Sequence, residues 1–369
     1  MDRGWPEIDA GGSVAPDLSR DAKMIPHSRP TLGGDDAECV ARVVRGGQLA
    51  QGPEVASLEH ELAQFLGVGA AAAVSSGSAA LELALRALDV GPGHEVIIPT
   101  YVCDALYHAV TRCGATPVLA DADPETLGLS AADAARRCTP RTRAIIVVHP
   151  FGLALDLADF HRLGVAIVED CAQTLGATLG GRPVGARGGL TVCSFYATKL
   201  LTTGEGGAVA GPADLVARAR DTRDYDGRTD LGPRFNYKMT DMQAALGRNQ
   251  LARLGTFIAR RRALAARYRA GLARTPRCRV PADCGERHVY HRFVVAIDTP
   301  LEPVLAHLER RGVAARRPVF RPIHRALGLS GYPSAERLWA QSLSLPCYPL
   351  LTDGEADTVT SALAEALAS

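Results

Sequence analysis

Short apolar runs alternate with segments of helical periodicity over the first two thirds of the chain. The apolar runs predict buried strands at residues 94–99, 117–120, 144–148, 165–168, 190–195 and 207–210. Helical spacing between them predicts helices at residues 104–113 and 130–137. Continuously apolar strands separated by helices are typical of a parallel sheet with both faces covered. The pattern therefore predicts an α/β fold, in which a mostly parallel sheet is sandwiched by helices and ligands bind at the carboxyl ends of the strands.

Helical patterns also flank this region. They lie at residues 34–46, 55–66, 78–88, 256–274, 303–311 and 353–367, with a further short strand at 290–297. Residues 256–274 predict a long connecting helix, and the character of the chain changes after it. We expect a loose leader over residues 1–23, a large domain over 24–255 and a smaller C-terminal α+β domain over 256–369.

Composition narrows the classes of partner. The chain has 369 residues and a formal net charge of +1, from 41 basic and 40 acidic side chains. This balance argues against a nucleic acid or an anionic membrane held by bulk charge. No apolar run is long enough to cross a bilayer, and the N-terminus lacks the apolar core of a signal peptide. The nine cysteines form no CxxC pair and are odd in number, so we expect reduced thiols, no metal site and a cytoplasmic location.

Lys199 is a rare lysine in a chain that otherwise uses arginine, and it directly follows one of the apolar runs. A lysine placed just past a buried strand loses part of its hydration, which disfavours the ammonium form and lowers its pKa. A neutral amine is a nucleophile that condenses with an aldehyde. For a single lysine, an ordinary surface position after a strand is the better interpretation, so the other motifs must decide.

The residues around Gly77 form a second candidate site. Small residues give way there to a helix that begins near Ser78. Backbone N–H groups at a helix start are unpaired and partly positive, so they bind phosphate readily, and glycine lets the anion approach closely. The same residues would also serve as an ordinary serine cap of a helix.

Asp170 lies at the carboxyl end of a predicted strand in an apolar setting. A buried aspartate needs a partner. It would either cap the following turn or hold a protonated ring nitrogen of a ligand. Glu169 is a rival for that role, but strand alternation directs it to the opposite face of the sheet.

An amine, a carboxylate and a phosphate-type helix start at one sheet edge are what pyridoxal 5'-phosphate (PLP) requires. The chain resembles the fold-type I PLP enzymes, and among them the DegT/StrS-type sugar aminotransferases, from about residue 27 to the end. The matching motifs are SSGSAAL at 75–81, VEDCAQ at 168–173, SFYATK at 194–199, TTGEGG at 202–207, NYKMTD at 236–241 and LSLPCYP at 343–349.

The resemblance implies a role for each motif. Lys199 would form the Schiff base with PLP, Asp170 would pair with the pyridine nitrogen, and Gln173 would contact the ring near its phenolic oxygen. The residues implied to hold the phosphate are Gly77, Ser78, Ala79 and Ser194. Asn236 would reach the phosphate from a neighbouring subunit, which implies a homodimer with shared active sites.

Two residues depart from the family pattern. Ser78 stands where the family usually has threonine, and this change keeps the hydroxyl group. Cys103 stands where the family usually places an aromatic residue over the pyridine ring. A thiol offers less contact area than a ring, so either the stacking is weaker or Tyr101 or another group supplies it.

The function implied by the resemblance is a ping-pong transamination, from an amino acid such as L-glutamate to a keto group of a nucleotide-linked sugar. The acceptor pocket would draw on residues 46–51, 149–151 and 316–321, whose arginines could bind a diphosphate or could simply be solvated. Two alternatives stay open: a PLP enzyme that acts on a cyclitol or another small ketone, and a PLP-binding protein without turnover.

Overall fold

The computed structural model describes residues 24–368, and the leader predicted at residues 1–23 lies outside them. The strands are β1 (Ala70–Val74), β2 (Glu95–Pro99), β3 (Thr116–Ala120), β4 (Thr142–Val148), β5 (Ala166–Asp170), β6 (Thr178–Leu179), β7 (Arg182–Pro183), β8 (Leu190–Ser194), β9 (Gly207–Gly211), β10 (Cys278–Arg279), β11 (Phe293–Ile297) and β12 (Ser342–Leu345). The helices are α1 (Gly34–Gly46), α2 (Pro53–Leu66), α3 (Gly77–Ala87), α4 (Ala105–Arg112), α5 (Ala131–Arg137), α6 (Ala158–His161), α7 (Ala213–Arg223), α8 (Asp241–Leu272), α9 (Leu301–Arg310), α10 (Ile323–Ala326), α11 (Pro333–Gln341) and α12 (Asp353–Ala368).

The main sheet has the strand order β1-β9-β8-β5-β4-β2-β3. Strand β9 runs antiparallel to both of its neighbours, and the remaining pairs are parallel. Successive strand residues enter hydrophobic clusters on opposite faces; in β1, for example, Ala72 packs on one face and Ala73 on the other. The predicted α/β sandwich with a mostly parallel sheet is therefore confirmed.

Strand β1 is made almost wholly of alanine, and the apolar pattern did not predict it. Alanine is a weak strand former, so nothing local to residues 70–74 favours a strand. The strand is nevertheless fully buried over Ala71–Val74 and pairs along its whole length with β9. Its small side chains let α2 and α7 pack closely on the sheet. Tertiary packing, not propensity, makes this segment a strand.

Helix α8 joins the two ends of the molecule. Its first residues cap two helices at once: the Thr240 side chain accepts the Gln243 N–H of α8, and the Asp241 carboxylate accepts the N–H groups of Gly52 and Val55 at the start of α2. Thr240 is therefore the N-cap of α8. Each of these caps typically contributes about 1 kcal/mol.

The C-terminal part has its own antiparallel sheet, β10-β11-β12, covered by α9, α12 and the later turns of α8. Its hydrophobic core begins at Leu264 and also includes Ile25, which pairs with Val313. Helix α8 runs without interruption across residues 255 and 256, so the predicted domain boundary falls inside a helix and stays a prediction. Among the described residues, no helix is long and apolar enough to cross a membrane.

Candidate active site

A cavity of about 330 Å³ lies at the carboxyl ends of β2, β4, β5 and β8, where ligands of parallel sheets bind. Residues from six separate stretches of the chain line it. Its lining includes Tyr101, Val102, Cys103, Asp104, Val148, Pro150, Phe151, Gln173, Tyr196, Thr198, Lys199, His291, Arg292, Pro318, Val319, Phe320 and Arg321. Lys199, Gln173 and Cys103 thus line one space. Asp170 is not among the lining residues, but its charge and that of Lys199 each shift the pKa of the other.

Lys199 enters the cavity from a tight turn just after β8, in which its backbone N–H donates to the Tyr196 carbonyl at 2.9 Å. Burial lowers the pKa of its ammonium group below the usual value of lysine, although Cys103 and Asp170 oppose the shift. The Nζ atom has no hydrogen-bond partner among the described residues. Lys199 therefore presents an amine that is easier to deprotonate than a surface lysine.

Asp170 ends β5 and is buried. Its Oδ1 accepts the Ala172 N–H at 2.9 Å, whereas Oδ2 has no hydrogen-bond partner among residues 24–368. Burial raises the pKa of this carboxyl, while the Ala172 N–H and the charge of Lys199 oppose the rise. Both roles offered by the sequence are thus compatible with the structure: one oxygen caps the turn, and the other remains free for a cationic partner.

Glu169 points to the opposite face of the sheet, as strand alternation predicts. Its two oxygens accept backbone N–H groups of Gly185 and Arg187, and the Nε2 of His149 lies 3.2 Å from one of them. Burial alone would raise the pKa of this carboxyl, but the hydrogen bonds and His149 together lower it. Potential metal-ligating atoms of His149, Glu169 and Cys171 lie within 4.8 Å of one another. Because Glu169 already holds a loop, we assign this cluster a structural role.

The start of α3 forms a cradle against β8. Ser76 caps the helix by accepting the Ala79 N–H at 3.1 Å, which leaves the N–H groups of Gly77 and Ser78 without a partner in the described chain. A Cβ atom at Gly77 would lie only 2.8 Å from the Cβ of Ser194, so the helix start and the serine are in close approach. Two free N–H groups beside a serine hydroxyl fit a phosphate. The amide of Ala79, which the sequence also offered, already serves the cap.

Gln173 and His291 complete the wall near Lys199. The Oε1 of Gln173 accepts the Phe151 N–H at 2.9 Å, so its amide nitrogen remains available. His291 is buried, and its Nδ1 has no hydrogen-bond partner. Burial, followed by the charge of Lys199, lowers the pKa of His291 well below its usual value. His291 is therefore a neutral ring with an unused nitrogen beside the candidate nucleophile.

A backbone contact brings His291 to the cavity. Gly152 has φ +107°, and a Cβ atom there would lie 2.7 Å from the His291 nitrogen. Its neighbour Phe151 has φ +55° and Tyr290 has φ +49°, conformations that are rare for residues with side chains. Such strained residues concentrate at functional sites. No sequence pattern around His291 predicted this contact.

Cys103 lines the cavity, and its side chain is accessible from there. Desolvation by the protein around it raises the pKa of its thiol, so the thiol is neutral. Tyr101 is buried, with its ring packed edge-on against Phe151 at a centroid distance of 6.4 Å. The tyrosine lies in the wall of the cavity, so the cysteine offers the more accessible surface. Asn236 does not line this cavity; its side chain is exposed and makes no hydrogen bond within the described residues.

These features fit PLP on structural grounds. The amine of lowered pKa could react with the aldehyde of the cofactor, and the free carboxylate oxygen could pair with its ring nitrogen. The helix start at Gly77, where only glycine fits, could bind its phosphate. The cradle would be closed by any side chain at Gly77, which is a requirement that an ordinary helix cap does not impose.

Comparisons with known proteins agree with this fit. Residues 30–364 match the profile described as the DegT/DnrJ/EryC1/StrS aminotransferase family. The chain is 34% identical over 371 residues to GDP-perosamine synthase of Caulobacter vibrioides, with 94% of this chain and 99% of that protein covered. It is 37% identical over 353 residues to dTDP-3-amino-3,4,6-trideoxy-alpha-D-glucose transaminase of Streptomyces venezuelae, with 90% and 92% covered. Among solved structures, the PLP form of Spr1654 from Streptococcus pneumoniae superposes with a TM-score of 0.88 at 27% identity, covering 94% of this chain and 99% of that one.

Proposed function

Because the chain belongs to the DegT/DnrJ/EryC1/StrS aminotransferase family, we propose that it transfers an amino group to the keto group of a nucleotide-linked sugar. The chain is a PLP-dependent aminotransferase, as its family membership implies. The observation that best supports the site is that Asp170 and Lys199 lie at the same edge of the sheet, at the ends of two paired strands, and that the charge of each shifts the pKa of the other. We further propose that the amino donor is L-glutamate.

Each residue then has a distinct task. PLP, when bound, acts as an electron sink for the carbon from which a proton is removed. Lys199 would hold the cofactor covalently, and its amine would move the proton as general base and acid. Asp170 keeps the ring nitrogen protonated through its free oxygen. Gly77, Ser78 and Ser194 anchor the phosphate, and Gln173 orients the ring through its amide nitrogen.

A second groove, of about 800 Å³, adjoins the cofactor cavity and suits the nucleotide part of the acceptor. Arg292, Phe320 and Arg321 line both spaces. Arg316 and Arg321 have no carboxylate partner among the described residues, so they are free to bind a diphosphate. Phe320 is 89% exposed, which offers an aromatic surface for a base. Residues 46–51 do not line the cavity of this single chain, so their predicted part in the acceptor pocket stays a prediction.

The proposed reaction is tested with the PLP-loaded protein, L-glutamate and a panel of dTDP- and GDP-linked keto sugars. We expect an aminated sugar nucleotide and 2-oxoglutarate to appear in equal amounts. Inososes and small ketones serve as the competing panel. Amination of those alone would replace the sugar assignment with the cyclitol alternative, and PLP binding without release of 2-oxoglutarate would leave only a binding protein.

We also propose that the working unit is a homodimer in which Asn236 reaches the phosphate of its partner's cofactor. Its exposed, unpartnered side chain supports such a role. Mixing the Lys199→Ala and Asn236→Ala proteins tests this proposal, because only mixed dimers combine an intact lysine with an intact asparagine from the other subunit. We expect about a quarter of wild-type activity to return on subunit exchange. No recovery beyond the activity of the separate variants would place Asn236 in the active site of its own chain or outside it.

A further inference from the structure

Arg292 is a partly buried cation, and the tasks described so far leave it unexplained. It lines both the cofactor cavity and the adjoining groove. No Asp or Glu among residues 24–368 forms an ion pair with it. Burial and the nearby charges of Arg316 and Arg261 lower the pKa of its guanidinium to about 10, so it remains charged at neutral pH. A charge held in such a place is costly unless an anion meets it.

The protein contacts of Arg292 do not neutralise it. Its Nη1 lies 3.2 Å from Nδ1 and 3.1 Å from Nε2 of the His27 ring. Burial and the two arginines Arg292 and Arg316 lower the pKa of His27 to about 3, so the ring carries no charge and cannot supply one. The same His27 Nε2 lies 2.9 Å from the Ser344 hydroxyl, which fixes the ring in place. His27 therefore positions the guanidinium without compensating its charge.

Arg261 shows what a structural buried arginine looks like in this chain. Its Nη1 donates to the carbonyls of Tyr290 and His291 at 3.2 and 3.3 Å, and also to the Cys347 carbonyl. It thereby supports the backbone immediately before Arg292. Arg292 makes no comparable set of bonds to carbonyl groups, so its remaining donors are available to a ligand.

The geometry points to Arg292 as the residue that binds the carboxylate of the amino-acid donor. This inference rests on the proposed function. A guanidinium binds a carboxylate through two parallel hydrogen bonds, and such a pair fixes orientation as well as affinity. Because Arg292 and Lys199 line the same cavity, the bound carboxylate would direct the donor amine towards the cofactor carbon that Lys199 holds.

The diphosphate of the acceptor is the other anion that could occupy this position. In a nucleotide-linked sugar, the sugar ring separates the reacting keto carbon from the diphosphate. The diphosphate therefore belongs farther from Lys199, near Arg316, which lines the groove but not the cofactor cavity. The α-carboxylate of an amino acid, by contrast, is one bond from the reacting carbon. Arg292 and Arg321 both line the cofactor cavity, and of the two only Arg292 is held in place by His27, so we assign it the nearer anion.

The donor half-reaction tests the inference without any acceptor. The change in cofactor absorbance is followed in PLP-loaded Arg292→Leu, with L-glutamate or with benzylamine, an amine that has no carboxylate. We expect the half-saturating concentration of L-glutamate to rise about 10- to 100-fold and that of benzylamine to stay the same. Arg292→Lys should recover part of the loss. The control Arg337→Leu, at an exposed arginine that lines a different cavity, should change neither value.

Calorimetric binding gives a second readout that needs no turnover. Succinate, as a dicarboxylate, should bind the PLP-loaded protein and should lose affinity in Arg292→Leu, whereas GDP or dTDP should lose affinity in Arg316→Leu. Unchanged succinate and L-glutamate affinities in Arg292→Leu would overturn the inference, as would a loss of nucleotide affinity alone. A wild-type protein that releases no 2-oxoglutarate from L-glutamate would instead overturn the proposed donor, which keeps the two failures distinct.

Discussion

Replacing Lys199 by alanine should abolish amine transfer, with kcat falling by about a thousandfold or more. The substitution removes the amine that we propose both forms the Schiff base and transfers the proton. The chain contains three lysines, Lys23, Lys199 and Lys238, so the assignment can be tested against real competitors. Lys238 is paired with Asp224 at 3.1 Å and with Asp226, and these hydrogen bonds raise its pKa. Burial shifts Lys199 in the opposite direction. At neutral pH, the amine that reacts should therefore be that of Lys199.

Chemical reduction of the PLP-loaded protein locates the Schiff base directly. We expect mass spectrometry of the reduced protein to find the pyridoxyl group on the peptide that contains Lys199 and not on the one that contains Lys238. Lys199→Arg should lose turnover as completely as Lys199→Ala, since it keeps the charge but cannot form the Schiff base at this position. Turnover by either variant at more than a few per cent of the wild-type rate would remove Lys199 from the mechanism.

Most strands of the main sheet could be predicted from the sequence, because a strand buried on both faces of a parallel sheet consists of a continuous apolar run. Strands β2, β3, β4, β5, β8 and β9 all lie within a few residues of their predicted bounds. The sequence did not reveal that β9 runs antiparallel, since burial on both faces looks the same in either direction. Strand β1 was not predicted because a run of alanines does not distinguish a strand from a helix or a loop. Residues 70–74 form a strand because of the elements that pack around them.

The site was predictable where chemistry lies next to a strand end, and not elsewhere. Lys199 and Asp170 follow apolar runs, so a rule about parallel sheets was enough to bring them together. His291 and Arg292 come from the C-terminal part, and they reach the cavity because the backbone at His291 packs closely against Gly152. The hydrophobic pattern of the sequence does not predict that contact. Two neighbouring residues of the cavity were consequently missed, and one of them is the proposed carboxylate-binding residue.

Asp170→Asn should separate activity from stability. The free Asp170 oxygen is the group we propose to keep the cofactor ring protonated, and an amide cannot supply that charge. Loss of one such preorganised electrostatic interaction typically costs about 10²–10³ in kcat. We therefore expect a fall of that size, together with an altered absorbance spectrum of the bound cofactor. Unchanged kcat and an unchanged spectrum would assign Asp170 only to the turn that its other oxygen caps.

Asp170→Asn should lower kcat but should not lower the stability of the apoprotein. Burial raises the pKa of Asp170, so over the range between its ordinary value of 3.8 and its folded value the folded state binds more protons than the unfolded state. The free energy of unfolding therefore falls as pH rises through that range and stays lower above it. Asp170→Asn removes this loss. The variant should be at least as stable as the wild type at pH 7, as measured by urea unfolding of the apoprotein.

Glu169→Gln is the matched control, one residue away on the opposite face. Its carboxyl has a lowered folded pKa, so the stability it contributes is present above its ordinary value of 4.5 and disappears as pH falls through the folded value. At pH 7 the substitution weakens the acceptor of the Gly185 and Arg187 N–H groups, which should cost about 1–3 kcal/mol. Two adjacent acids should thus give opposite changes in unfolding free energy. If both substitutions destabilise the apoprotein equally, Asp170 has the same structural role as Glu169, which contradicts this prediction.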